Sequence, residues 1–351
     1  MNQATTTIAL EDCALAGCGS RRKHWRGPCC NPDSSWQSCA MRKHLILLTA
    51  LLAATPALPQ ASANIAAGRA QPSPLAPSEI VNAAPNADWT AIAPSDLLVM
   101  DLALDAKGKA RRVVIQLMPA PFSQGWVGNI RKLAAARFWD GTSVNRVQDN
   151  YVAQWGDPNA EDKAKARTLP EDLVSVPQMG YAINRDILLA QTLPKDAYGT
   201  RTGFYDGWPL AFDDKVWPVH CYGMVGVGRD MPPNTGTGAE LYTVIGHAPR
   251  HLDRNIALVG RVIEGIELLS SLPRGTGGLG FYETPEERTP IVSVRIGNEV
   301  SGLPAYEYLS TESQSFARYA DARANRRDAF FIRPAGGADI CNIPVPVRRA
   351  K

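Results

Sequence analysis

NIRKLAAARFWDGTSVNRVQDNYVAQWGDP, residues 129–158, carries both kinds of secondary-structure signal in one run. With Trp126 just before it, the spacing of Ile130, Leu133, Ala134 and Phe138 is an apolar stripe at helical period. Asn129, Arg131, Lys132 and Arg137 lie off that stripe, which predicts an amphipathic helix over 126–138. The Asp140-Gly141 step ends it. SVNRVQ (143–148) and NYVAQWGD (150–157) then read as two short strands. Alternation sets Tyr151, Ala153 and Trp155 on one face of the second strand and Val152 and Gln154 on the other, unless a bulge intervenes.

On the N-terminal side, LLVMDLALD (97–105) and RRVVIQLM (111–118) are apolar, β-branched runs joined by the polar, glycine-containing AKGKA, the pattern of a hairpin. Pro119 and Pro121 stop its second strand. On the C-terminal side, CYGMVGVG (221–228), ELYTVIG (240–246) and IALVGRV (256–262) return to strand patterning. A helix over EGIELLSSL (264–272), a glycine-rich turn at 275–280 and a closing strand PIVSVRIG (290–297) follow. Strands in this order do not alternate with helices as βαβ units do, so the expected fold class is mostly β, a closed antiparallel barrel capped by two helices.

Three segments flank or interrupt that body. Residues 64–92 are rich in Ala, Pro, Ser and Asn and are expected to form a flexible leader, with order beginning near Leu97. Residues 159–220 form a long insertion, too long for a structureless loop in a compact domain. Its aromatics, Tyr181, Tyr198, Phe204, Tyr205, Trp208 and Trp217, predict that it packs back as a cover. Residues 301–351 form a C-terminal extension, with a helix within 310–327 on Phe316, Tyr319 and Ala320 and a short strand at FFIRP (330–334).

The chain has 351 residues, 45% of them apolar, enough for one or two domains with real cores and incompatible with disorder throughout. From Met41 it reads MRKHLILLTALLAATPALPQASA: a basic opening, an apolar run from Leu45 to Ala54, then small residues through Ala63. That is signal-peptide grammar, so 41–63 is expected to be removed on export to the periplasm or beyond the cell. Residues 1–40 are then read as an upstream extension foreign to the natural product. They hold Cys13, Cys18, Cys29, Cys30 and Cys39 at spacings that match no regular zinc pattern. The formal charge of +3 falls to balance without residues 1–63, which argues against nucleic acid as a partner. The remaining cysteines, Cys221 and Cys341, can bridge in an oxidising compartment or stand as two separately buried thiols.

P-loop, HExxH and GxSxG motifs are absent from the sequence. The histidines after residue 63 are His220, His247 and His251, and Pro249 between the last two argues against a chelating helix. Metal and cofactor are therefore not expected.

Three blocks in order resemble the cyclophilin-type peptidyl-prolyl isomerases. Residues 129–158 are similar to the family's stretch from its first helix through FHR and QGGDP. GMVGVGRD (223–230) with GTGAELYTVIG (236–246) resembles its glycine-led strand and its GSQFFI strand, and HLDRNIALVGRVIEGIELLSSL (251–272) its LDGxxxxFGxVxxGxxVxxxI stretch. The resemblance implies an eight-stranded cyclophilin-like domain over 93–300, with Arg146 as the catalytic arginine and Gln154 as the substrate-holding glutamine. It also implies a substrate groove of Tyr151, Val152, Gly228, Glu240, Tyr242, His251 and Leu252. The departures are Val144 at the Phe of FHR, Trp155 for a glycine, Glu240 for the glutamine of SQFF, His251 at a position often held by Trp or Phe, and Ile256 for a pocket histidine.

The implied activity is isomerisation of X-Pro bonds by a monomer whose partners are proline-containing peptides or unfolded exported proteins. The alternative on the same fold is a proline-peptide-binding or assembly module with weak or no turnover. A third, a hydrolase with scattered catalytic residues, has no support in the sequence.

Overall fold

The structure, a computed structural model, describes residues 74–184 and 187–351. The upstream extension and the signal sequence, and the leader as far as residue 73, lie outside the described residues.

Order begins well before Leu97, contrary to the sequence-based expectation. Helix α1 (Pro77–Asn82) starts on a proline, whose fixed φ and missing N–H suit a first helical turn, and is followed by strand β1 (Trp89–Ile92). β2 (Leu97–Leu102) and β3 (Arg111–Leu117) form the expected hairpin, in which Asp105 Oδ1 accepts the backbone N–H groups of Lys107 and Lys109, both at 2.8 Å, and so closes the turn. Helix α2 (Gln124–Ala135) buries Trp126, Ile130, Leu133 and Ala134, the stripe read from the sequence. β4 (Ser143–Val147) and β5 (Val152–Gly156) come next.

The insertion holds an antiparallel sheet, β6 (Ala190–Leu193), β7 (Arg201–Tyr205), β8 (Trp208–Phe212) and β9 (Val216–Pro218), in that spatial order. Asp206 and Gly207, both at positive φ, make the two-residue turn between β7 and β8 that matches strand twist. Phe204, Trp208 and Trp217 are buried, and Phe204 meets Phe316 of the tail edge-on at 5.0 Å. These aromatics of the insertion, with Tyr181, are core material, while Tyr198 is exposed.

β10 (Met224–Val227), β11 (Leu241–Val244), β12 (Leu258–Glu264), helix α3 (Ile266–Ser270) and β13 (Thr289–Ile296) complete the body. The barrel runs β10-β11-β5-β4-β13-β2-β3-β12 and closes by antiparallel pairing of β12 with β10. Closure leaves no open sheet edge and encloses a core that includes Met100, Ile115, Val144, Ala153, Val225 and Val294. Helices α2 and α3 pack on β13 and β3 respectively.

β14 (Tyr306–Leu309), helix α4 (Gln314–Ala324) and β15 (Val347–Arg349) form the tail. β14 pairs with both β1 and β15, so the end of the stretch read as a leader and the end of the chain share one sheet. Residues 330–334 are not a strand: Phe330 and Ile332 are exposed, and Phe331 is held by the Arg326 guanidinium, 4.2 Å from its ring centre. Cys221 and Cys341 are joined in a disulfide with Cα atoms 5.1 Å apart, tying the approach to β10 to the tail.

Candidate functional site

Arg146 reaches the barrel exterior because β4 is irregular. The register against β5 shifts between Val144 and Arg146, which places Arg146 opposite Gln154. Under strict alternation Arg146 would share the inward face of Val144; the bulge turns it out while Val147 returns to the core. The sequence gives no local sign of this bulge.

The guanidinium is held on three sides. Nε donates to the backbone oxygen of Leu279 at 2.7 Å, Nη1 to Gln154 Oε1 at 3.0 Å, and Nη2 to Gln148 Oε1. Its central carbon lies 5.7 Å from the ring centre of Tyr151 and 5.3 Å from that of Phe281. Among the described residues no carboxylate pairs with it; Asp149 pairs instead with Arg274 at 2.9 Å. Burial lowers the Arg146 pKa from its ordinary value, with Tyr151 and Glu240 opposing the shift.

Tyr151 corrects the parity reading. It precedes β5, after Asn150 at φ +50°, so alternation does not extend to it. Its ring joins Val152, Tyr242, Leu252 and Ile256 in one apolar cluster on the groove side, while Ala153 and Trp155 point into the barrel core. Burial raises the pKa of Tyr151, and more strongly that of Tyr242.

Arg146, Tyr151, Val152, Gln154, Gly228, Tyr242 and Leu252 line one hollow of about 120 Å³, together with Arg229 and Ile256. That is the scale of a single ring rather than of a drug-sized molecule. Glu240 and His251 stand outside this lining. Glu240 accepts from Gln154 Nε2 at 2.7 Å, and its carboxyl pKa is raised by burial despite that hydrogen bond. His251 is exposed and stacks on Tyr151 with ring centres 6.3 Å apart, bracing the rim.

Larger hollows of about 290 and 420 Å³ lie elsewhere, one between α1 and α4 and the other against the disulfide. Neither has in its lining a guanidinium hydrogen-bonded to a carboxamide beside an apolar wall, as Arg146 and Gln154 are, so the chemistry is assigned to the smaller one.

Sequence reasoning missed Gln148, Leu279 and Phe281, which hold Arg146. The glycine-rich turn at 275–280 was legible as a turn, but a backbone acceptor such as the Leu279 oxygen leaves no residue signature. His220, the last residue of the insertion, carries no sequence signal of its place behind the groove.

The fold and this groove define a class: a closed β-barrel carrying a guanidinium donor beside a small apolar pocket on its outer face. Residues 103–296 match the family described as Cyclophilin type peptidyl-prolyl cis-trans isomerase/CLD. The chain belongs to this cyclophilin-type peptidyl-prolyl cis-trans isomerase family.

Among solved structures, a cyclophilin from Hirschia baltica is similar at 24% identity and a TM-score of 0.56, over 75% of this chain and 94% of that one, a likeness of fold. A cyclophilin type peptidyl-prolyl cis-trans isomerase from Cryptosporidium parvum, crystallised in the presence of the dipeptide Ala-Pro, aligns at 13% identity and a TM-score of 0.34, over 56% of this chain and 98% of that one. A search of curated proteins found no match.

Proposed function

We propose that this chain accelerates cis-trans exchange of X-Pro bonds in exported polypeptides and so assists their folding outside the cytoplasm. The observation that carries the reading is Arg146, a half-buried guanidinium free of ion pairing and aimed across a ring-sized apolar pocket.

Peptide rotation is opposed by a barrier of about 18–20 kcal/mol because the nitrogen lone pair is delocalised into the carbonyl. Uncatalysed X-Pro exchange accordingly takes tens to hundreds of seconds. No nucleophile is required. Val152, Tyr242, Leu252 and Ile256 grip the ring, Gly228 lies beside it, and Gln154 holds a substrate carbonyl. As the bond twists, the prolyl nitrogen regains its lone pair, and an N–H of Arg146 donates to it. A hydrogen bond made only in that twisted state lowers the barrier without tightening ground-state binding. The fork of Arg146 is always charged and is preset by Leu279, Gln148 and Gln154, so little reorganisation is needed at the moment of reaction.

The signal-like order of residues 41–63 and the Cys221–Cys341 bridge, a feature of oxidising compartments, support export. Magnetisation-exchange spectroscopy on a short X-Pro peptide tests the function. Catalytic amounts of protein should speed exchange well above the uncatalysed rate, whereas saturable binding with no acceleration would make the groove a binding module.

A further inference from the structure

Behind the groove lies a buried polar network that the isomerisation chemistry does not use. His220, at the end of the insertion, is fully buried, and its ring Nε2 lies 2.9 Å from the Tyr242 hydroxyl. Its backbone N–H and its ring Nδ1 both meet Asp253 Oδ1, at 3.0 and 2.8 Å. Because a carboxylate only accepts, Nδ1 carries a proton, and in the neutral ring Nε2 is left as the acceptor for the Tyr242 O–H. The other Asp253 oxygen takes Arg250 Nε at 2.6 Å. Arg250 then reaches Asp196 of the insertion at 2.9 Å and Asp339 of the tail at 3.7 Å, and lies over the Tyr198 ring at 4.8 Å.

Two walls of the prolyl pocket hang on this network. Tyr242 is bonded to it through its hydroxyl, and Leu252 sits in the turn whose flanking residues are Arg250 and Asp253. The hydroxyl can lie where it does because position 226 is glycine: a Cβ there would fall 2.3 Å from the Tyr242 oxygen. An apolar cluster alone would allow the Tyr242 ring to slide or rotate. A buried hydroxyl that must keep its acceptor cannot do so without leaving a polar group unpaired, which costs more than the bond itself gains.

The geometry points to His220 as a positioning residue for the isomerase groove: acting through the Tyr242 hydroxyl, it fixes the shape of the prolyl pocket and so sets affinity for the substrate ring. This deepens, and rests on, the reading of the groove as a prolyl site. It also gives the insertion and the tail a role at the site, since they hold the network from behind.

The test is a double-mutant cycle on the full chain with a short X-Pro peptide, reading peptide affinity by titration, kcat and KM by exchange kinetics, and the unfolding midpoint. Tyr242→Phe removes only the hydroxyl, whereas His220→Phe removes its acceptor and also the ring donor to Asp253. Each should weaken peptide binding and raise KM roughly threefold to tenfold, the range of one lost hydrogen bond, with kcat kept within about twofold. The double variant should be no worse than the weaker single one, because both remove the same contact. His220→Gln, whose amide oxygen can accept from the hydroxyl, should recover part of the loss. If His220→Phe does not fold, the cycle of Tyr242→Phe with His220→Gln decides.

Wild-type affinity in Tyr242→Phe, or independent additive effects of the two changes, would overturn the assignment, as would a lowered unfolding midpoint with unchanged KM. Affinity is read apart from turnover. A wild type that binds without accelerating exchange therefore counts against the isomerase reading, while the affinity comparison still decides the role of His220.

Discussion

Glu240 dictates which way the Gln154 carboxamide faces. Arg146 offers only donors, so Oε1 of Gln154 must face it; an ionised Glu240 offers only acceptors, so Nε2 must face the other way. Asp230 and Glu161 add to the burial that raises the Glu240 pKa, and Arg146 opposes them. The sign of the stability effect follows. A carboxyl raised in the folded state binds more protons there than when unfolded, so its contribution weakens as pH rises through the window between its ordinary and its raised value. Glu240→Gln should remove that slope and be at least as stable as wild type at neutral pH. Denaturant unfolding of both proteins from pH 4 to 8 measures it; a slope unchanged by the substitution would show that other groups set it. The carboxyl at position 240 was readable as a departure from the family's glutamine, but its bond to Gln154 depends on the register of β11 against β5, which one sequence does not display.

At the scale of elements, the eight barrel strands were legible because each is a short apolar or alternating run bounded by turn residues, and both barrel helices because their stripes have helical period. What escaped reading was long-range pairing. β1 buries only its end residues, Trp89 and Ile92, and its partner β14 lies at the other end of the chain, so nothing local marked residues 89–92 as ordered. FFIRP has strand-like composition and failed as a strand for the complementary reason: among the described residues no strand pairs with it. The bulge in β4 escaped for the same cause, since only pairing with β5 reveals it. The turn between β7 and β8 can be tested directly. Gly207 has φ +80° and packs so closely that a Cβ would fall 2.5 Å from the Tyr308 ring, which is itself anchored through its hydroxyl to Asp206 at 2.7 Å. Gly207→Ala should therefore cost about 1–3 kcal/mol, seen as a lower denaturation midpoint; a neutral substitution would mean that the sheet gives way there.

Across the whole molecule, the disulfide joins residues 120 positions apart, and the tail it secures carries Asp339 to Arg250 behind the proposed prolyl pocket. A bridge over so long a loop restricts the unfolded chain strongly, so Cys341→Ser should lose about 2–5 kcal/mol, and reductant should affect wild type but not the variant. Equal stability of the two proteins would mean that the tail is held by its strand pairing and by α4 alone. Barrel, insertion and tail meet at Arg250 behind the groove, yet only one contact is proposed to act on the twisting bond. Whether Arg146 lowers the barrier or only helps to bind is tested most directly by measuring X-Pro exchange and peptide affinity on wild type, Arg146→Ala and Arg146→Lys, each shown separately to be folded. Arg146→Ala should lose at least roughly tenfold in kcat/KM, about 1.4 kcal/mol, with ground-state affinity little changed, and Arg146→Lys should also lose rate because it keeps the charge but not the fork. Undiminished acceleration by folded Arg146→Ala would contradict the mechanism.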